Sequence, residues 1–114
     1  MTYILGGWQS DFSRNYAREG LEIGDSFAEA VHGALDHTGL APEDIDVGHV
    51  GNFVGDLFTG QGMLGGFFAM ADDRFTGMPA SRHEAACASG SLAIMAAAAD
   101  IESGRYGTSL VLGL

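Results

Sequence analysis

From Ala88 to about Ser103 the chain is built of small and apolar residues almost all the way round a helix. Leu92, Ile94, Met95, Ala96 to Ala99 and Ile101 leave it no polar face. Such a helix is buried on all sides. Thr108 to Leu114 follows as an extended segment, and Ser109-Leu110-Val111-Leu112 has the continuous apolar character of strands inside parallel sheets. Ahead of the helix, Ala80 to Ala86 reads as another short strand. Strand, buried helix and strand in that order imply parallel neighbours joined by a right-handed crossover. The chain is therefore expected to be α/β, with a mostly parallel sheet.

The remainder supports the same class. Tyr3 to Gly6 reads as an opening strand ended by Gly6-Gly7, and Trp8 to Gly20 as a polar connection. Ile23, Phe27, Val31 and Leu35 recur every four residues, with Ala30 and Ala34 on the same face, which predicts an amphipathic helix. Gly39 suits the left-handed position after its last turn. Pro42 to Asp46 is a turn, and Val47 to Val54 reads as a strand with Gly48 and Gly51 where a neighbour can come close. Asp56 to Thr76 has no clear period. Its apolar, glycine-rich part, Met63 to Met70, fits either a helix against a partner subunit or a loop under an active site.

The bulk properties exclude several function classes. The 114 residues suit one small domain, with no linker and no internal repeat. Fifteen acids stand against five arginines, giving a net charge of −10, and there is no lysine. Phosphate neutralisation needs clustered Lys and Arg, so nucleic acid is an unsuitable partner. No apolar stretch reaches the ~18 residues of a membrane span. The start, Met1-Thr2-Tyr3-Ile4-Leu5-Gly6, lacks the basic flank and apolar core of a signal peptide. A single cysteine makes no internal disulfide, and a reducing cytoplasm is expected.

That cysteine, Cys87, lies immediately ahead of the apolar helix. A thiol there meets free helical N–H groups and the positive end of the helix dipole, both of which stabilise a nucleophilic thiolate. The same residue also fits a buried structural cysteine. Gly60-Gln61-Gly62-Met63-Leu64-Gly65 matches a dinucleotide-binding pattern by letter, but it does not directly follow the first strand, as that turn must. The four histidines and Cys87 show no zinc spacing, and no metal is expected. His83 fits a general base or a structural role. Arg82 and Glu84 fit an ion pair across an interface or a solvated surface.

Cys87-Ala88-Ser89-Gly90 resembles, position by position, the nucleophile motif of thiolases. Gly39-Leu40-Ala41-Pro42-Glu43-Asp44-Ile45-Asp46 resembles the thiolase connection from first helix to second strand. Ser103-Gly104-Arg105-Tyr106-Gly107 resembles the exit from the nucleophile helix. The likeness covers almost the whole chain in order. Many thiolases have Asn where Glu84 stands, and in this the chain is similar to a divergent branch of archaeal and actinobacterial acetyl-CoA acetyltransferase-like proteins.

The resemblance implies a thiolase-like fold, with residues 1–114 as an incomplete N-terminal half carrying a buried nucleophile helix. It implies an acyltransferase of lipid metabolism acting on acetyl-CoA or 3-ketoacyl-CoA. Cys87 would form the acyl-thioester, with its backbone N–H as an oxyanion donor. Coenzyme A enters as substrate, and no cofactor is implied. The remaining catalytic Cys and His and the CoA-binding groups would lie beyond Leu114, so the chain alone would be inactive. A homodimer or homotetramer is implied, with possible partner subunits and with Pro79 to Ala86 at a two-fold interface. A β-ketoacyl synthase, a thiolase-like lyase acting on CoA thioesters and a non-catalytic thiolase-like subunit are the alternatives. Acyl-chain length and the direction of the reaction are not written in these residues.

Overall fold

Helix α1, Ile23–Thr38, forms where the four-residue apolar period predicts it. The Glu22 N–H donates to the Asp25 carboxylate at 2.8 Å across its first turn, and Gly39 closes its end at φ 71°, the left-handed conformation that glycine adopts without a Cβ penalty. Phe27, Val31 and Leu35 are buried along one stripe. The computed structural model describes all 114 residues.

Strand β1, Val47–Gly51, follows a single 3₁₀ turn at Pro42–Asp44. Two short helices come next, α2 at Gly55–Thr59 and α3 at Phe67–Ala71. Strand β2, Ala80–His83, leads to helix α4, Ser89–Glu102, and strand β3, Ser109–Gly113, ends the order. The sheet runs β2-β1-β3 and is parallel throughout. Val50 pairs with Arg82 on one side and Leu112 on the other.

The pleat sends alternate β1 residues to opposite layers. Gly48 faces α3. A Cβ there would lie 2.5 Å from Cε2 of Phe68, so the missing side chain is what lets that ring lie on the strand. Phe68 in turn meets Phe27 edge-on at 4.9 Å and Phe75 at 5.9 Å between ring centroids. With Val31, Leu35, Ile45, Val50, Leu64, Phe67 and Leu112 these rings form the main core, between the sheet and the α1/α3 layer. Gly51 faces the opposite way, toward α4.

The structure corrects four expectations. Tyr3–Gly6 is not a strand. It makes no backbone hydrogen bond, because the segment docks on α1 instead of a sheet edge, with Gly6 against His37 and Trp8 against Gly33. The strand from Val47 stops at Gly51 rather than Val54, since Asn52 turns the chain: its Oδ1 accepts the Gly55 N–H at 2.8 Å. The strand from Ala80 stops at His83 rather than Ala86. Met63 to Met70 is not a loop: it forms a 3₁₀ turn and most of α3, with Leu64, Phe67 and Phe68 buried in this chain's own core and Met63 and Met70 exposed. Within residues 1–114, α4 is covered on one face. Ser89, Ala93 and Ala97 pack on the sheet, while Leu92, Ile94 and Met95 stay 39, 54 and 66% exposed. One sheet covers one face of a helix, and the small alanines, not the larger apolar residues, are turned to it.

Candidate active site around Cys87

The turn from β2 to α4 carries Cys87 at the surface as a free thiol. Ala86, just before it, has φ 47°. That left-handed conformation is disfavoured for a residue with a Cβ and persists only where surrounding structure imposes it. Here Ser89 imposes it. Its buried hydroxyl accepts the Ala85 N–H at 2.9 Å and donates to the Ala86 carbonyl at 2.7 Å. The Ala88 N–H donates to the Ala85 carbonyl at 2.8 Å. The result is a tight knuckle with Cys87 at its tip. The Cys87 N–H itself makes no well-formed hydrogen bond within the chain.

Glycines set the depth of the knuckle. A Cβ on Gly51 would fall 2.7 Å from both the N and Cα of Gly90. Strand β1 and the first turn of α4 thus touch backbone to backbone, and any side chain at 51 would push α4 outward. Beside this contact lies an open cleft of about 540 Å³. Ala86, Cys87 and Gly90 line one wall, and Phe53, Val54 and Phe58 the other. The cleft is mostly apolar, with a thiol and an unused N–H at its edge. Chemically, it can bring a nucleophilic sulfur and an oxyanion donor to the carbonyl of an acyl group.

The chain matches the thiolase N-terminal domain over residues 3–114. The chain belongs to the thiolase family. It is 34% identical, over 97% of its length, to the acetyl-CoA acetyltransferase of Methanocaldococcus jannaschii. To the acetyl-CoA acetyltransferase of Methanothermobacter thermautotrophicus it is 33% identical over 79% of its length. The chain spans 27% and 23% of the length of these relatives, about a quarter. The α/β class, the parallel sheet and the thiolase resemblance expected from the sequence are thereby established.

The other residues singled out in the sequence fall as follows within this thiolase domain. Arg82 does not pair with Glu84. Its Nε donates to the Asn52 carbonyl at 3.0 Å, and its Nη2 donates to the Phe53 carbonyl at 2.8 Å and to Asp56 at 3.0 Å. It fastens β2 to the loop that forms the far wall of the cleft. Glu84 is exposed. The glycine-rich stretch 60–65 leads into a 3₁₀ turn packed on β2, with Gly65 against Ala80, and not into a phosphate-binding helix. His83 points to His49 of β1, at 2.8 Å between ring nitrogens.

Two groups at the site were missed by the sequence reading. Asn52 is buried and uses both ends of its amide, accepting from Gly55 N–H and donating to the Leu114 carbonyl at 3.0 Å. Asn three residues before glycine is a turn signal that could have found it. The partnership of His49, His83 and Asp100 has no local signal, because its members lie 34 and 51 residues apart.

The cations are largely committed. Arg14 is paired with Glu19 and Glu29, Arg74 with Asp72 and Glu43, and Arg82 with Asp56. The Asp72 carboxyl is held down to about 2 by Arg74. No helix is long and apolar enough to cross a membrane, and no group of His, Cys, Asp and Glu has the arrangement of a metal site.

Proposed function

We propose that this chain is the nucleophile-bearing part of an acyl-CoA acyltransferase of thiolase type, working through an acyl-cysteine at Cys87. The observation that carries the reading is the knuckle: an exposed thiol beside an unused backbone N–H at the start of α4, facing an apolar cleft. The names of the two archaeal relatives, both acetyl-CoA acetyltransferases, support the same substrate class.

In the first step the Cys87 thiolate attacks the thioester carbonyl of acetyl-CoA. The Cys87 N–H faces the developing oxyanion. The C–S bond to coenzyme A breaks and its sulfur leaves as a thiolate, to be protonated by an acid from the rest of the enzyme. In the second step the α-carbon of another acyl-CoA, deprotonated by a base, attacks the acyl carbon. The new C–C bond forms as the bond to Cys87 Sγ breaks, and the thiolate is restored. The reverse sequence cleaves a 3-ketoacyl-CoA. Neither the acid nor the base is assigned within this chain, and the anionic coenzyme finds few free cations here. The rest of the full-length enzyme supplies these, and residues 1–114 alone are inactive.

We place the enzyme in the cytoplasm as a homodimer or tetramer that joins through the open edge of β2. Ala80 and Ser81 there are exposed and unpaired on one side of the sheet.

The test is Cys87→Ser in the full-length enzyme. A serine hydroxyl without a strong adjacent base is a far poorer nucleophile than a thiolate. Release of free coenzyme A from acetyl-CoA is expected to fall to background while assembly, followed by sedimentation, is unchanged. A serine variant that keeps a substantial share of the activity overturns the covalent scheme.

A further inference from the structure

The α4 side of the sheet holds a polar chain that the acyl-transfer scheme does not use. His49, 4% exposed, stands at the centre of β1. Its Nε2 lies 2.7 Å from Oδ2 of Asp100, near the end of α4. Its Nδ1 lies 2.8 Å from Nε2 of His83, the last residue of β2. The Ser81 hydroxyl is 3.0 Å from that His83 nitrogen and 3.3 Å from His49 Nδ1. One run of bonds thus joins the strand that enters the Cys87 turn to the helix that leaves it. Ser81, His49 and Asp100 have the composition of a nucleophilic triad. The His49 nitrogen nearest the hydroxyl is, however, committed to His83 at the shorter distance.

We propose that Asp100, His49 and His83 form a proton-sensitive clamp that holds β2 and α4 in register and so positions the Cys87 turn. The three are positioning residues. The chemistry they serve rests on the acyl-transfer reading above; the clamp itself does not.

The proton count gives the clamp its pH sense. With Asp100 ionised, His49 donates to it through Nε2–H. His49 Nδ1 then accepts from His83 Nε2–H, and both rings are neutral. Alternatively, a cationic His49 donates through Nδ1–H to a neutral His83. One N–H lies between the rings in either state, so a first proton is taken up without losing the bond. A second sets two N–H groups against each other at 2.8 Å with no acceptor between them, and two cations adjoin.

Burial, the larger cause, and the neighbouring His49 together lower the His83 pKa from the ordinary 6.5, with Asp100 pulling partly the other way. His49 from β1 and Asp100 from α4 are the titratable groups acting on it. The 3₁₀ turn Leu64–Gly66 packed on β2 carries none. Because the folded pKa is depressed, the unfolded chain binds more protons as pH drops. The clamp's contribution is full above 6.5 and is lost as pH falls through the folded pKa.

Two measurements on the full-length protein test this, and neither requires acyl-CoA activity. The first follows the histidine ring nitrogens by ¹⁵N NMR across pH. His83 should titrate below the ordinary histidine value of 6.5. The second follows amide hydrogen exchange of the segment 84–91 in wild type relative to His83→Gln, which keeps a hydrogen-bonding group but cannot titrate. The exchange ratio should be near one at about pH 7.5 and rise about tenfold at about pH 5 as the wild-type clamp opens. Dividing by the variant cancels the intrinsic pH dependence of exchange. His83 titrating at or above 6.5, or a ratio flat with pH, overturns the proposal. The NMR titration needs only wild type and decides the matter if the variant does not fold. An enzyme that fails to transfer acyl groups but gives both signals would reject the acyl-transfer reading and keep the clamp.

Discussion

The Ser89 hydroxyl takes the Ala85 N–H and gives its own proton to the Ala86 carbonyl. A single buried oxygen thereby satisfies two backbone groups and holds Ala86 at φ 47°. Replacing it by alanine keeps the helix propensity but leaves the Ala85 N–H without its partner and the Ala86 carbonyl with only the Ser89 N–H at 3.3 Å. Ser89→Ala is expected to destabilise the full-length protein by about 1–3 kcal/mol, the cost of leaving buried polar groups unsatisfied, as read by urea unfolding. It should also loosen the Cys87 turn and slow acyl transfer. Loss of activity at unchanged stability would mean that Ser89 acts on the substrate instead of the turn.

At the scale of elements, the contact between β1 and α4 decides where Cys87 stands. Gly51 and Gly90 meet backbone to backbone, which no other residue at 51 permits. Gly51→Ala should cost about 1–3 kcal/mol, in the range of overpacked cores, and displace the start of α4. Denaturant midpoints check the first effect. A crystal structure of the variant with α4 unmoved would contradict the second. Gly48 and Gly51 could be read from the sequence as sites of close approach because glycine inside a strand has few other uses. The helix over residues 23–38 was legible from its four-residue period and its terminal glycine. Tyr3–Gly6 was misread because an apolar run shows β propensity but not whether an edge is there to receive it. The orientation of α4 was not legible for a related reason. An all-round apolar helix has no period to say which face meets the sheet, and here the alanines do. Within the site, Cys87 stood out by its small-residue context, whereas the His49–His83–Asp100 run depends on strand register, which no local pattern encodes.

Across the whole molecule, acids outnumber arginines threefold, yet Leu92, Ile94 and Met95 of α4 lie open on the surface. A patch of that kind marks a surface meant to be covered. Residues 1–114 expressed alone are expected to self-associate and to bind a hydrophobic dye, and the full-length enzyme is not. A monomeric chain that melts cooperatively without binding dye would show that no further cover is needed. The central claim, that acyl groups pass through Cys87, is tested most directly by mass spectrometry. Full-length protein is mixed with acetyl-CoA, quenched in acid and digested. The account predicts one acetyl group on the peptide that contains Cys87, removed by hydroxylamine and absent after Cys87→Ser. Acyl transfer by an enzyme whose Cys87 peptide never carries the acetyl group would contradict it.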